Sequence, residues 1–200
     1  MRKLMILGLL ILMGLLLMAC EEDGELRIRN RSNALVQSRV DDSAPIDIDA
    51  WSGWSRFYTE DTTVKVSYEG LYVYPDSTTR SVIVGLPTTV NILPDAGAVK
   101  IVNDTTFVIT EIYISAHDAP EWGENQIIDS LVVNQNRIWT MDEGAWDVKI
   151  VNAEGTPLYK MNQTVTVNET LSLDVSDFLP FARQKTAGLN LRSVRRPVAR

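Results

Sequence analysis

From residue 25 onward, apolar and polar positions alternate with a period of two. Leu26 and Ile28 are interleaved with Arg27, Arg29 and Arg31, and Val64 and Val66 with Lys65 and Ser67. Trp146, Val148 and Ile150 alternate with Asp147 and Lys149, and Leu171, Leu173 and Val175 with Ser172, Asp174 and Ser176. Successive side chains of a strand point to opposite faces, so each run turns one face to a core and the other to water. The stretch FVITEIYIS, residues 107–115, is apolar on both faces and predicts an inner strand. Gly, Asn, Asp and Pro punctuate the runs at short intervals. No segment sustains a helical stripe, so the pattern predicts an all-β chain.

The alternation also recurs at a distance. LRIRNRSNALVQSRV (26–40) parallels VKIVNDTTFVITEIYI (99–114): a strand ends at Asn30 or Asn103, a polar turn follows, and a second strand begins. VKVSYEG (64–70) parallels VKIVNAEG (148–155), with one extra residue before the Glu-Gly pair. Phe57 and Tyr58 precede the first of these and Trp139 the second, and Leu-Tyr follows both, at 71–72 and 158–159. SVIVGLPTTVNIL (81–93) parallels TVTVNETLSLDV (164–175), two strands around a tight turn. Ordered agreement over three segments predicts a duplication, with copies over 25–95 and 98–178 joined at LPDAGA. Each copy offers about six short strands, enough for a small two-sheet sandwich. The expected fold is two tandem β-sandwich-like repeats after a leader.

The residues ahead of this body read differently. Met1, Arg2 and Lys3 precede an uncharged run over 4–19, LMILGLLILMGLLLMA, which ends at Cys20, the one cysteine of the chain. A spanning helix needs about 20 apolar residues; this run is shorter and suits a secretory core. Leu17, Met18, Ala19 and Cys20 resemble the lipobox of bacterial lipoproteins. That resemblance implies a leader over 1–19, cleavage before Cys20, a diacylglyceryl group on its thiol, and membrane lipid as a partner through the acylated residue. The alternative is an uncleaved N-terminal helix that ends in a cysteine by chance. An exported chain with one cysteine forms no internal disulfide, and acylation would consume the thiol. Glu21, Glu22, Asp23 and Glu25 follow, and residues 20–24 are expected to form a lipidated start and a solvated acidic tether. Acidic residues at this place also resemble a surface-export signal of some bacterial groups, although a plain spacer explains them. The expected address is the cell envelope, at the outer membrane if the source is Gram-negative.

Charge divides the chain. The formal net charge of −7 comes from 19 Lys and Arg against 26 Asp and Glu. Arg183, Lys185, Arg192, Arg195, Arg196 and Arg200 lie beyond residue 178 with no acid among them. The span 21–178 therefore holds 11 bases and all 26 acids, a net −15. An acidic body argues against nucleic acid as a partner and favours solubility. The tail over 179–200 has too few apolar residues to fold alone and is expected to be disordered. Anionic headgroups are an alternative resting place for it.

Candidate chemistry is sparse. The lone histidine, His117, lies in the loop-like SAHDAPEWGEN, and no G-x-S-x-G frames a nucleophile. Zinc wants Cys and His in number, and no phosphate loop or dinucleotide fingerprint is present, so no cofactor is expected. Carboxylate pairs for glycoside hydrolysis find many acids but none singled out. Asp41, Asp42, Asp47 and Asp49 cluster in VDDSAPIDID and form a weak calcium candidate without EF-hand spacing. Trp51 and Trp54 in WSGW, with Trp122 and Asn125 in EWGEN, are candidates for stacking on a sugar, although indoles near turns also plug sandwich ends. Sequons at Asn30, Asn103, Asn162 and Asn168 follow from Asn at turns and Thr in strands.

NDTTFVITEIYIS, EWGEN and WDVKIVNAEG together resemble a small β-sandwich unit of bacterial secreted and envelope proteins of no established activity. That resemblance implies fold and location only; the first copy lacks the Trp-Gly segment. The expected function is a non-catalytic envelope lipoprotein whose sandwich loops meet an envelope protein or a glycan. A carbohydrate-binding lipoprotein is the alternative, with a carboxylate-dependent hydrolase behind it. The sequence does not fix an oligomeric state.

Overall fold

The computed structural model of the chain describes residues 23–180. The expected leader over 1–19, Cys20 and the basic residues of the tail lie outside the described residues. The chain is all-β, built as two successive sandwiches of one topology. The first contains β1 (Gly24–Asn30), β2 (Val36–Val40), β3 (Ile46–Ile48), β4 (Gly53–Tyr58), β5 (Thr62–Gly70), β6 (Val73–Val82) and β7 (Pro87–Ile92). The second contains β8 (Gly97–Val102), β9 (Ile109–Ala116), β10 (Asn136–Met141), β11 (Gly144–Asn152), β12 (Pro157–Val165) and β13 (Thr170–Asp174), and ends in a single 3-10 turn, Val175–Asp177.

In each unit the first strand is central in its sheet. β1 lies between antiparallel β4 and parallel β7, and β8 lies between antiparallel β10 and parallel β13. The facing sheets run β3-β2-β5-β6 and β12-β11-β9. Alternation then has its predicted effect. Leu26, Ile28, Val64, Val66, Val90 and Ile92 fill the first core; Val99, Ile101, Ile112, Ile114, Val148 and Ile150 fill the second. Each such side chain contributes about 1.5–3 kcal/mol when fully buried.

Two details show that the units are copies in structure as well as in pattern. Gly24 and Gly97 open the central strands directly beneath the crossover from one sheet to the other. A Cβ on Gly24 would meet the Ile83 carbonyl at 2.8 Å, and one on Gly97 would press on the Thr166 carbonyl and on Val165 Cγ1 at 2.6 Å. Asn30 and Asn103 close the same strands, and both are fully buried. Asn30 Nδ2 donates to the carbonyls of Ala34, Ile48 and Asp49, and its Oδ1 accepts from the N–H and hydroxyl of Ser32. Asn103 Nδ2 donates to the carbonyls of Phe107 and Leu131, and its Oδ1 accepts from the N–H and hydroxyl of Thr105. These two sequons therefore have a packing reason: the amide fills a polar hole and the hydroxyl two residues on completes it.

The structure corrects several expectations. Gly24 and Glu25 belong to β1, where Glu25 pairs with Arg27 at 2.5 Å, so strand structure begins inside the expected tether. The Leu-Tyr match does not hold. Leu71 and Tyr72 form the β5–β6 turn, whereas Leu158 and Tyr159 are paired with Ile150 and Lys149 inside β12, because the second hairpin has a longer turn. Trp139 matches Arg56 in register, one place away from Phe57. β9 is an edge strand of its sheet; its free edge is covered by the 117–135 loop, which forms a bridge between Ile109 and Leu131 where the first unit has β3. Order also runs past residue 178, since Leu179 exchanges backbone hydrogen bonds with Tyr159 at 2.8 and 3.0 Å.

The joint between the units is hydrogen-bonded on several sides. The N–H groups of Asp95 and Ala96 both donate to the Tyr72 carbonyl at 3.1 Å, and Ala96 is fully buried. The Tyr72 hydroxyl meets Thr170 Oγ1 at 2.7 Å, and Thr140 Oγ1 donates to the Leu71 carbonyl at 3.0 Å. On another side, the Asn33 N–H donates to Asn168 Oδ1 (2.6 Å) and Asn33 Nδ2 to the Asn168 carbonyl (2.9 Å). The β12–β13 turn of the second unit is thus seated on the far end of the first.

Candidate functional site

The outer face of the β12-β11-β9 sheet collects rings around one cation. Pairing places Lys149 directly opposite Tyr113 on one side and Tyr159 on the other. Their strand neighbours Ile112, Ile114, Val148 and Ile150 point into the core, so these three side chains share the opposite face. Lys149 Nζ lies 3.8 Å from the centre of the Tyr113 ring and 5.6 Å from that of Trp122. Trp122 packs on Tyr159 at 5.7 Å between centroids, tilted by 42°. The Tyr113 hydroxyl donates to Glu111 Oε2 at 2.7 Å.

Electrostatics follow from half-burial. Desolvation holds the Lys149 ammonium below the ordinary lysine range, partly offset by Glu111. Tyr113 is pushed above the ordinary tyrosine range by its hydrogen bond to Glu111 and then by burial. The result is an amphipathic face on which rings, an ammonium and a tyrosine-held carboxylate lie together. Such a face suits a ligand with both a flat apolar side and hydroxyls.

Trp122 reaches this face because its loop is pinned. Asn125 Oδ1 accepts from the N–H groups of Ile112 (2.9 Å) and Ile127 (3.2 Å), and the Gln126 N–H donates to the Ile112 carbonyl at 2.7 Å. Asn125 therefore positions the loop, and Lys149 is a charged neighbour of the Trp122 ring. At the start of the loop, His117 Nδ1 meets Asp147 Oδ1 at 2.7 Å; the aspartate is fully buried and the histidine half-exposed. Alternation had placed Asp147 toward water. It keeps that outer face, opposite Ser115 in the unbroken β9 register, and is buried because His117 and the β12 bulge at Asn162, whose N–H donates to Asp147 Oδ1 at 2.7 Å, close over it.

The tryptophans of WSGW separate. Trp54 is half-buried against the first core. Trp51 stands 60% exposed in a left-handed conformation (φ 57°), its indole N–H donating to Asn33 Oδ1 at 2.8 Å. Trp51 thus belongs to the joint between units, away from Trp54. Of the four clustered acids, Asp41 Oδ1 accepts the Lys65 N–H at 2.8 Å and Asp47 Oδ1 accepts from Gln37 Nε2 at 3.3 Å. Among the described residues, no three His, Cys, Asp or Glu side chains converge as metal ligands.

Tyr113, Lys149 and Tyr159 were not candidates on the sequence. A signal was present in the apolar outer positions of FVITEIYIS, which read as double-sided burial. The sheet of the first unit carries a shallow groove of about 210 Å³ with mixed walls, Gln37, Arg39, Glu69 and Asp76 beside Pro45, Tyr68 and Pro75.

No protein-family model matches the sequence, and no curated protein matches it. Several solved structures align with this chain at low identity. A minor pilin of Streptococcus agalactiae aligns at 9% identity and TM-score 0.29, covering 85% of this chain and 99% of that one. A DUF3823 family protein from Bacteroides ovatus aligns at 9% identity and TM-score 0.28, covering 72% and 99%. The family CBM26 module of Eubacterium rectale Amy13K, solved with maltoheptaose, aligns at 12% identity and TM-score 0.30, covering 82% and 98%.

Proposed function

We propose that this chain is a non-catalytic envelope lipoprotein that presents a binding face on its second sandwich. Acyl chains on Cys20 hold it to a membrane, the outer one in a Gram-negative source, and the first sandwich acts as a spacer. The observation that carries the binding role is the ring set of Tyr113, Trp122 and Tyr159 around Lys149. The hydrogen-bonded joint supports the spacer role, because units tied through Tyr72, Asn33 and Asn168 hold the binding face at a set height.

Mass analysis of the membrane-fraction protein tests the anchor. Wild type is expected to carry diacylglyceryl and N-acyl mass on Cys20, and Cys20→Ala to carry none and leave the membrane. A wild-type product with a free thiol and an intact leader overturns the reading.

The ligand class this face favours is a carbohydrate, whose pyranose faces stack on rings while hydroxyls meet Lys149 and Glu111. Titration of the full chain with a panel of soluble oligosaccharides, read by tryptophan fluorescence, tests it. Binding is expected to be lost in Trp122→Ala and kept in Trp51→Ala; binding that survives Trp122→Ala, or no binding across the panel, overturns the carbohydrate.

A further inference from the structure

The end of the first sandwich nearest Cys20 is apolar and built. The β6–β7 turn reads Ile83-Val84-Gly85-Leu86, with Ile83 46%, Val84 38% and Leu86 57% exposed. Such turns are normally polar, and consecutive exposed apolar residues call for a partner. This turn is not frayed. Asp61 Oδ1 accepts the Val84 N–H at 2.8 Å, the Leu86 N–H donates to the Ile83 carbonyl at 3.0 Å, and Gly85 takes the left-handed conformation the turn requires (φ 78°). Phe57, 61% exposed, adds a ring beside it: Phe57 and Pro87 flank Glu25 on the two sides of β1.

The duplication says what this end of a unit is for. The equivalent turn of the second unit is Thr166-Val167-Asn168-Glu169, with Asn168 (φ 65°) in the place of Gly85. That turn sits on the first unit through Asn168 to Asn33, while the Asn168 N–H donates to the carbonyl of the joint residue Ala96 at 2.9 Å. It is the docking end of the sandwich, and it is polar because the surface beneath it is protein. In the first unit the same end carries Ile83, Val84 and Leu86, which suit hydrocarbon.

Chain length fixes what lies beneath the first unit. Gly24 rests against the Ile83 carbonyl and follows Cys20 by four residues. At about 3.5 Å per residue the anchored cysteine lies within about 14 Å of this turn. Apolar side chains at a membrane surface bury about 5–10 Å into the headgroup boundary. The neighbouring charges are mixed, Asp23, Glu60 and Asp61 with Arg56 and the paired Glu25 and Arg27, so the apolar side chains are what the patch offers a bilayer.

We propose that Phe57, Ile83, Val84 and Leu86 dock into the interface of the bilayer that holds acylated Cys20. The protein then stands on its first sandwich instead of swinging from a tether. The proposal rests on the lipid-anchor reading above.

The test uses the acylated protein in phosphatidylethanolamine–phosphatidylglycerol vesicles. Cys20 is the one cysteine, and on the lipid-anchor reading its sulfur is taken up in a diacylglyceryl thioether, so an introduced thiol is unique. Nitroxide labels are placed through Leu86→Cys and Val84→Cys on the turn, and through Ile128→Cys on the second unit, where the native side chain is fully exposed. Both turn labels are expected to meet dissolved oxygen several-fold more often than a water-soluble nickel complex, and the Ile128→Cys label to show the reverse. Turn labels that behave like the Ile128→Cys label in protein whose mass shows acyl chains overturn the docking and leave the anchor standing. A mass without acyl chains overturns both.

Discussion

Asn30 of the first sandwich and Asn103 of the second make the same buried hydrogen-bond set, each amide bridging the end of its central strand to the carbonyl of Ile48 or Leu131 across the fold. Every donor and acceptor of these amides is used, and glutamine, which carries the same planar group, would place it one methylene too far.

Asn30→Ala and Asn103→Ala are therefore each expected to destabilise the protein by about 3 kcal/mol, since several buried backbone groups lose partners at about 1–3 kcal/mol apiece. Urea denaturation checks this. Asn103→Asp is expected to cost as much, because a carboxylate cannot donate to the Phe107 and Leu131 carbonyls. A midpoint unchanged within error in Asn103→Ala would show that the polar hole is idle.

Gly97→Ala is expected to cost more than Gly24→Ala. The added methyl at Gly97 meets Val165 Cγ1 at 2.6 Å as well as the Thr166 carbonyl, both on the buried crossover, while at Gly24 the nearest atom is 2.8 Å away. Overpacking of this kind costs about 1–3 kcal/mol. Thermal midpoints of the two variants, measured side by side, give the order.

Asn33→Ala removes the side-chain bond to the Asn168 carbonyl and the acceptor of the Trp51 indole in one step, and leaves the backbone N–H of residue 33 as the remaining contact to Asn168 Oδ1. Backbone relaxation by NMR is expected to give one rotational correlation time for both units in the wild type. In Asn33→Ala combined with Tyr72→Phe, the units are expected to tumble with separate, shorter times. Identical tumbling in the double variant would place the rigidity elsewhere.

Asp104 ties the end of β8 to the closing 3-10 turn, accepting from the Ser176 hydroxyl at 2.5 Å and from its N–H at 2.9 Å. Those bonds hold its carboxyl below the ordinary value of 3.8. A depressed folded pKa gives stability that is present above the unfolded value and lost as pH falls through the folded one. Asp104→Asn is expected to flatten the fall in thermal midpoint below about pH 4, with little change in its shape near neutrality. An unaltered acid limb would exclude this link.

Much of the architecture was legible because it is written locally. A period of two assigns faces within one strand, and Asn30 and Asn103 mark equivalent strand ends by chain spacing alone. Alternation does not record what covers a face. Asp147 keeps the outer face that alternation gives it yet is buried, because His117 and the extra residue of the β12 bulge cover it. FVITEIYIS looked doubly buried, yet β9 is an edge strand whose outer side carries Glu111 and Tyr113 beside Lys149. Asn125 is a ligand candidate by its amide, and the oxygen of that amide is spent on the backbone N–H groups of Ile112 and Ile127.

The sequence by itself determined the β class, the duplication and the sandwich repeated twice, since each follows from residues two apart or from segments that match in order. Only the tertiary structure decided which rings meet Lys149, which end of each sandwich docks, and that the turn at Ile83–Leu86 lies against the start of β1. Those relationships join residues some tens of positions apart through strand register, and register is set by pairing and by single-residue bulges that the local alternation does not record.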